Sequence, residues 1–446
     1  MLHRLLLTLL FIAAGGLAAT AADRDLYHAQ SFTLANGLQL VVIEDHRAPV
    51  VTHMVWYRTG AADDPVGKSG IAHFLEHLMF KGTTNVPDGE FLRIVARNGG
   101  RDNAFTSYDY TAFYEDVASD KLPLVMQLEA DRMVHLTLAE AQVATERQVI
   151  LEERRTRIDN DPEALFQEQM AAAQYLASPY RLPVLGWKHE MEGLTRADAL
   201  RHYRAHFAPN NAVVVVAGDV NAPAVRQLAD KYYGVNPRRP VPPRVRASEP
   251  PQIAARRLVM EDARVRQASW MRSYLAPTLQ AGESRFALPL VLLAEILGGG
   301  QSSRLNKALV LDNGVATAAS ASYDESGIGL GTFDLFARPK PGVSTGEIEA
   351  KMDAVLADLA ARGVSAAELE RAKVDYRAGT IYARDNLGST ARLFGEALAT
   401  GLTVADVEGI PARMQAVTLE QVDEAARYVF DIRKSVTGVL LPKPAS

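Results

Sequence analysis

The sequence predicts an α+β protein of two homologous domains, each a mostly antiparallel sheet covered by helices and joined by a proline-rich linker. Three observations predict this architecture. Residues 237–251 hold Pro237, Pro240, Pro242, Pro243, Pro250 and Pro251 among Arg, Ser and Glu, a composition that extends the chain and continues neither a helix nor a central strand. The flanking halves end alike: Leu194-Thr195 opens a helix through Tyr203 and Phe207 and leads to an apolar strand over 213–216. In the same way Val417-Thr418 opens a helix through Tyr428 and Phe430 that leads to a strand over 436–441. The halves also open alike, with strands over 38–44 (after the Asn36-Gly37 turn) and 50–58 in the first, and over 257–261 and 267–274 in the second. The domains are therefore read as 22–236 and 252–446, with helices on one face of each sheet, and Thr195 and Thr418 as helix N-caps.

Taken in order, the chain begins with His3-Arg4, an apolar run over 5–14 and Ala19-Thr20-Ala21. This is the pattern of a secretory signal peptide over 1–21, which implies export to the periplasm or the exterior. The run is too short for a stable membrane span. A formal charge of -5 and no dense basic face argue against nucleic acid as a partner. With no Cys, there is neither a disulfide framework nor a thiolate metal site, so any metal must be held by His and carboxylates.

The stretch from Gly70 to Phe80 reads as a helix, with Ser69 as its N-cap and Gly82 past its end. His73 and His77 stand at i and i+4 and so share a face, with Glu76 beside them. Phe74, Leu75, Leu78 and Met79 would embed this helix in a core, where an unpaired His pair is costly and a cation resolves the cost. The plain alternative is two core histidines with an incidental acid. His202 and His206 serve as an internal control: they have the same spacing, but Arg204 lies between them in place of an acid, and they read as a surface or helix-end pair. A catalytic zinc takes three protein ligands, and an acidic helix over 138–158 offers the third. On it Glu146 and Glu153 lie seven residues apart, nearly on one face, whereas Glu152 points about 100° away. Glu153 is the expected ligand and Glu146 the carboxylate that orients an imidazole. Taken alone, that helix would read as a solvated charge stripe with Arg147, Arg154 and Arg155. Glu76, charged and next to the metal without binding it, is the candidate general base of a hydrolase.

These residues resemble the inverted-motif (His-x-x-Glu-His) zinc peptidases that include pitrilysin, insulysin and the mitochondrial processing peptidase. The resemblance implies a metalloendopeptidase with one Zn2+ per chain, held by His73, His77 and Glu153, with Glu76 as base and Glu146 as supporting acid. The segment from Gly99 to Ser107 looks like the family's edge strand, to which an extended peptide is added as a further strand. It makes Asn103, Ala104, Phe105 and Thr106 the expected substrate contacts. Without the neighbouring motif the same segment reads as an ordinary turn and strand.

The second half departs from the family pattern. Residues 290–297 stand where the metal helix would recur, and they leave Glu295 without histidines. After Gly298-Gly299-Gly300-Gln301-Ser302-Ser303-Arg304, the positions where the family places a substrate-binding Arg and Tyr hold apolar residues. The resemblance then implies the zinc-bearing subunit of a two-chain enzyme, whose partner is a homologous zinc-free subunit supplying Arg and Tyr, or else a homodimer. A non-catalytic, zinc-dependent peptide-binding scaffold is the rival reading, and the presence of Glu76 weighs against it.

Overall fold

The computed structural model describes residues 26–443, so the export signal read over 1–21 lies outside the described residues. In the first half the strands are β1 (Gln30–Thr33), β2 (Gln39–Glu44), β3 (Val50–Tyr57), β4 (Arg101–Thr106), β5 (Thr111–Ala118) and β6 (Ala212–Gly218). Its helices are α1 (Ile71–Leu78), α2 (Glu90–Arg97), α3 (Leu122–His135), α4 (Glu140–Arg154), α5 (Pro162–Gln174), α6 (Lys188–Met191), α7 (Arg196–His206) and α8 (Ala222–Tyr232). The second half contributes β7 (Arg256–Asp262), β8 (Ser269–Ala276), β9 (Ala316–Tyr323), β10 (Gly331–Pro339) and β11 (Ser435–Pro442). With them come α9 (Ala287–Gly298), α10 (Thr345–Arg362), α11 (Ala366–Arg384), α12 (Leu387–Thr400), α13 (Val404–Gln415) and α14 (Leu419–Val429).

The sheets run β1-β2-β6-β3-β5-β4 and β7-β11-β8-β10-β9. Leaving out β1, the two orders correspond strand for strand. Each holds a single parallel pair, β2 with β6 and β7 with β11, among antiparallel neighbours. The duplication read from the matching ends is therefore a duplication of topology. Thr195 and Thr418 cap α7 and α14 as their sequence positions suggest, accepting from Asp198 N and Gln421 N.

The expectation of one helix-covered face per sheet needs correction, because both sheets are covered on both faces. On the first sheet the second face, with Val41, Met54, Trp56, Val213, Val215 and Ala217, is buried against Phe394 and Leu398 of α12, a helix of the other half. In return, Phe166 and Met170 of α5 pack against Val436 and Leu440 of β11 in the second sheet. Small residues allow both approaches. A side chain at Gly395 would place its Cβ 2.0 Å from the Trp56 indole, and one at Gly438 would lie 2.6 Å from Met170 Sδ. The cause is visible in β6, whose sequence AVVVVAG is buried at every position and so has no solvent face to offer.

The segment between α8 and β7 forms no helix or strand, yet it is docked. Arg246 pairs with Asp63 at 2.7 Å and with Asp109 at 2.7 Å, and Arg244 donates to Ala399 O at 2.6 Å. Glu249 accepts the backbone N–H groups of Leu176 and Ala177, each at 2.9 Å. Asp109 in turn accepts the N–H of Ile328 from the second half at 3.0 Å. The connector thus works as a clasp between the halves.

Candidate metal centre

Helix α1 sits on the first sheet with His77 its only residue that is not buried. Ser69 is not its N-cap. Gly70 occupies that position in a left-handed conformation (φ +86°), and an added Cβ there would meet Leu185 O at 2.3 Å. Ser69 is committed instead to the neighbouring loop, its Oγ accepting from Trp187 N at 2.9 Å. The free amides at the start of α1 find Asp64, which accepts from Gly70 N at 2.7 Å and Ala72 N at 3.1 Å, as the helix dipole favours. Past the other end, Phe80 packs against the Arg132 guanidinium, which also lies over the rings of Phe91 and Phe113 and is ion-paired with Glu129.

The acidic helix is α4, beginning at Glu140 and passing into a π-helical turn, Arg155–Asp159. It crosses α1 so that Glu153 Oε2 lies 3.4 Å from His73 Nε2 and 3.2 Å from His77 Nε2. Among the described residues, this trio is the one group of His, Asp and Glu whose donor atoms, all within 4.8 Å of one another, could hold a metal ion. The donor set fits a divalent cation of zinc's preferences, two imidazole nitrogens and a carboxylate oxygen. Glu153 Oε2 is buried and, apart from its ion pair with His77, makes no well-formed hydrogen bond, so a cation between the three side chains would satisfy it. Glu153 Oε1 is held by Arg157 at 3.0 Å. Glu152 turns away to Arg155, as its angular position on the helix requires.

Glu146 accepts from or shares a proton with His77 Nδ1 at 2.9 Å, and Lys81 holds its other oxygen at 2.5 Å. That contact fixes the ring so that Nε2 faces Glu153. The electrostatics follow. Burial pulls His73 down to about 4, so it is neutral. Burial also opposes charge on His77, but the carboxylates of Glu146 and Glu153 outweigh it and raise that ring to about 9. Contact with His77, against the effect of burial, keeps Glu153 below the ordinary carboxylate range. Burial tends to raise Glu146, but His77 and Lys81 bring it below its usual value.

Glu76 points into the same space, and burial raises its carboxyl against the pull of a hydrogen bond from Thr106 Oγ1 at 2.6 Å. Thr106 ends β4, which is the outer strand of the sheet beside α1. Ser107 N donates to Tyr110 O, closing the β4–β5 hairpin on a bonded pair. By alternation the amides of Asp102, Ala104 and Thr106 then face outward, and Asn103 Oδ1 accepts the Ala104 N–H at 2.8 Å. Side chains alternate as well: Ala104 and Thr106 lie on the α1 face, and Phe105 on the α12 face against Trp56 and Tyr110.

The control pair lies at a helix end, one of its two readings, but not at the surface. His202 and His206 do end α7, but His202 is 4% exposed, not at the surface, and burial lowers it to about 3. Asp64, Lys81 and Arg157 went unread in the sequence. Lys81 and Arg157 each stand four residues after a site residue, His77 and Glu153, so helical spacing could have flagged them.

The profile described as Insulinase (Peptidase family M16) matches residues 39–187, and that described as Peptidase M16 inactive domain matches residues 193–374. A relative from Helicobacter pylori, named Zinc protease PqqE, is 31% identical over 432 residues, covering 93% of this chain and 95% of its own. The crystal structure of a protease from Helicobacter pylori superposes with a TM-score of 0.87 at 29% identity, over 93% of this chain and 99% of that one. The periplasmic protease PqqL from Escherichia coli shares the fold, with a TM-score of 0.80 at 19% identity, over 94% of this chain and 48% of its own. With both profiles matched across the two halves and a relative of this identity aligned along nearly its whole length, the chain belongs to the insulinase-like peptidase family M16.

Proposed function

We propose that this protein is an exported zinc-dependent endopeptidase that hydrolyses extended or unfolded peptides. The observation that carries the reading is the convergence of His73 Nε2, His77 Nε2 and Glu153 Oε2 beside an acid, Glu76, that is not part of the trio. In this reading His73, His77 and Glu153 hold one zinc ion. When bound, zinc supplies Lewis acidity that brings a water's proton loss to near neutral pH. Glu76 takes that proton and passes it to the leaving amine, with Thr106 fixing one carboxylate oxygen so that the other is free to act. Glu146 and Lys81 keep the His77 ring turned toward Glu153.

The outward amides of β4 support a substrate that binds as an added strand through Asn103, Ala104, Phe105 and Thr106, a mode that reads main chain more than side chains. Two findings support export: the signal pattern over 1–21, and the word periplasmic in the name of PqqL. Among the described residues no helix is long and apolar enough to cross a membrane.

The test is Glu76→Gln in the zinc-loaded protein. Elemental analysis is expected to give one zinc per chain in parent and variant, with hydrolysis of an unfolded peptide reduced at least about a hundredfold. Equal cleavage by the two proteins removes Glu76 from the mechanism.

A further inference from the structure

The far face of the edge strand holds a second feature. Phe105 points away from Glu76, and the Arg392 guanidinium of α12 lies over its ring, 4.0 Å from the centroid. Arg392 is exposed, and among the described residues its cation rests on that ring in place of an ion pair. The acid on its own helix, Glu396, is hydrogen-bonded to Ser326 and Tyr110 and lies near enough to feel the Arg392 charge, but among the described residues it forms no close ion pair with it. Arg101 and Asn103, both exposed, continue the same face of β4. The carboxylate across from Arg101, Asp116, is held by Thr52 Oγ1 at 2.6 Å.

A peptide added to β4 pairs with it residue by residue, and partners across a ladder put their side chains on one face. The peptide residue opposite Phe105 therefore turns from the zinc face to the α12 face, beside the ring and its guanidinium. The residues on either side of it turn the other way, toward Ala104, Thr106 and Glu76. This alternation holds whether the peptide runs parallel or antiparallel to β4. A guanidinium already seated over an aromatic ring offers N–H groups to a carboxylate with little further loss of freedom.

We infer that Arg392 and Phe105 form a specificity subsite for an acidic side chain, so that preferred substrates carry Asp or Glu within a residue or two of the cleaved bond. The inference rests on the peptidase reading and on strand addition at β4. It adds a side-chain preference to a binding mode otherwise blind to sequence.

The test uses a set of otherwise identical unfolded peptides with Glu, Gln or Lys placed at each position in turn, and cleavage sites mapped by mass spectrometry. For the zinc-loaded parent, one position near the cleaved bond is expected to favour Glu over Gln by about three- to tenfold in kcat/KM. In Arg392→Gln that ratio falls to about one, and in Arg392→Glu the same position turns to favour Lys. Fluorescence anisotropy of the same peptides on the metal-free proteins reads the subsite without chemistry. Preference at binding with no cleavage of any peptide upholds the subsite and removes the peptidase reading. Cleavage with the same Glu-to-Gln ratio in parent and both variants overturns the subsite and leaves the peptidase reading intact.

Discussion

His77 holds the metal-free site together through charge. Its ring is raised from 6.5 to about 9, so below pH ~6.5 its protonated form contributes stability to the metal-free fold, and that contribution is lost as pH rises through about 9. A metal needs the neutral ring, so zinc must displace that proton, whereas His73, lowered to about 4, has none to lose. Calorimetric zinc titration at pH 7.5, in buffers of different ionisation enthalpy, is expected to show about one proton released per ion, with affinity rising toward pH 9. Heat independent of the buffer would mean that His77 is already neutral. At this scale the sequence is legible where spacing alone decides: two imidazoles four apart on a helix share a face whatever surrounds them. It is silent on Asp64, whose cap on α1 depends on the loop fold that brings its carboxylate to Gly70 and Ala72.

At the scale of elements, the contact between α12 and Trp56 decides how the halves hold each other. An alanine normally improves a helix interior over glycine by about 1 kcal/mol. At Gly395 the new Cβ would fall 2.0 Å from the indole, and overpacking of that kind costs about 1–3 kcal/mol or more, so the clash wins. Gly379, exposed on α11 with nothing within 4 Å of its Cβ, lacks the clash. Urea unfolding is therefore expected to place Gly395→Ala below the parent and Gly379→Ala up to about 1 kcal/mol above it. Two variants equally stabilised would show that α12 does not press on Trp56. The strands that open and close each half, the edge strand β4, the helices that carry His73, His77 and Glu153, and the capped ends of α7 and α14 were legible because period and cap chemistry are local; β1, β5, β9 and β10 were not read. The crossing of α5 and α12 to the opposite sheets was not. The unbroken apolar run of β6 announces burial on both faces, but nothing local names the helix that supplies the second cover.

For the whole molecule, the second half repeats the topology of the first without its trio of two His and a Glu: α9 carries Glu295 and no His. This fits the proposal that the chain is the zinc-bearing member of a two-chain enzyme, the other member a zinc-free homologue or a second copy. Sedimentation with a homologous zinc-free chain is expected to yield a heterodimer and at least about a tenfold gain in peptide cleavage over the isolated chain. A monomer cleaving at the full rate by itself would end that proposal. That residues 237–251 form neither helix nor strand was legible from the prolines, but their role as a clasp was not, since Arg246, Asp63, Asp109 and Ile328 are brought together by both halves. The bond from the Ala104 amide to Asn103 Oδ1 bears on solubility. An open sheet border tends to recruit identical molecules into ribbons, and a carboxamide folded over one of its donors makes that stacking less favourable. The same small plug would yield to an incoming polypeptide at the cost of a single replaceable bond, keeping the border quiet at rest and ready when a guest arrives.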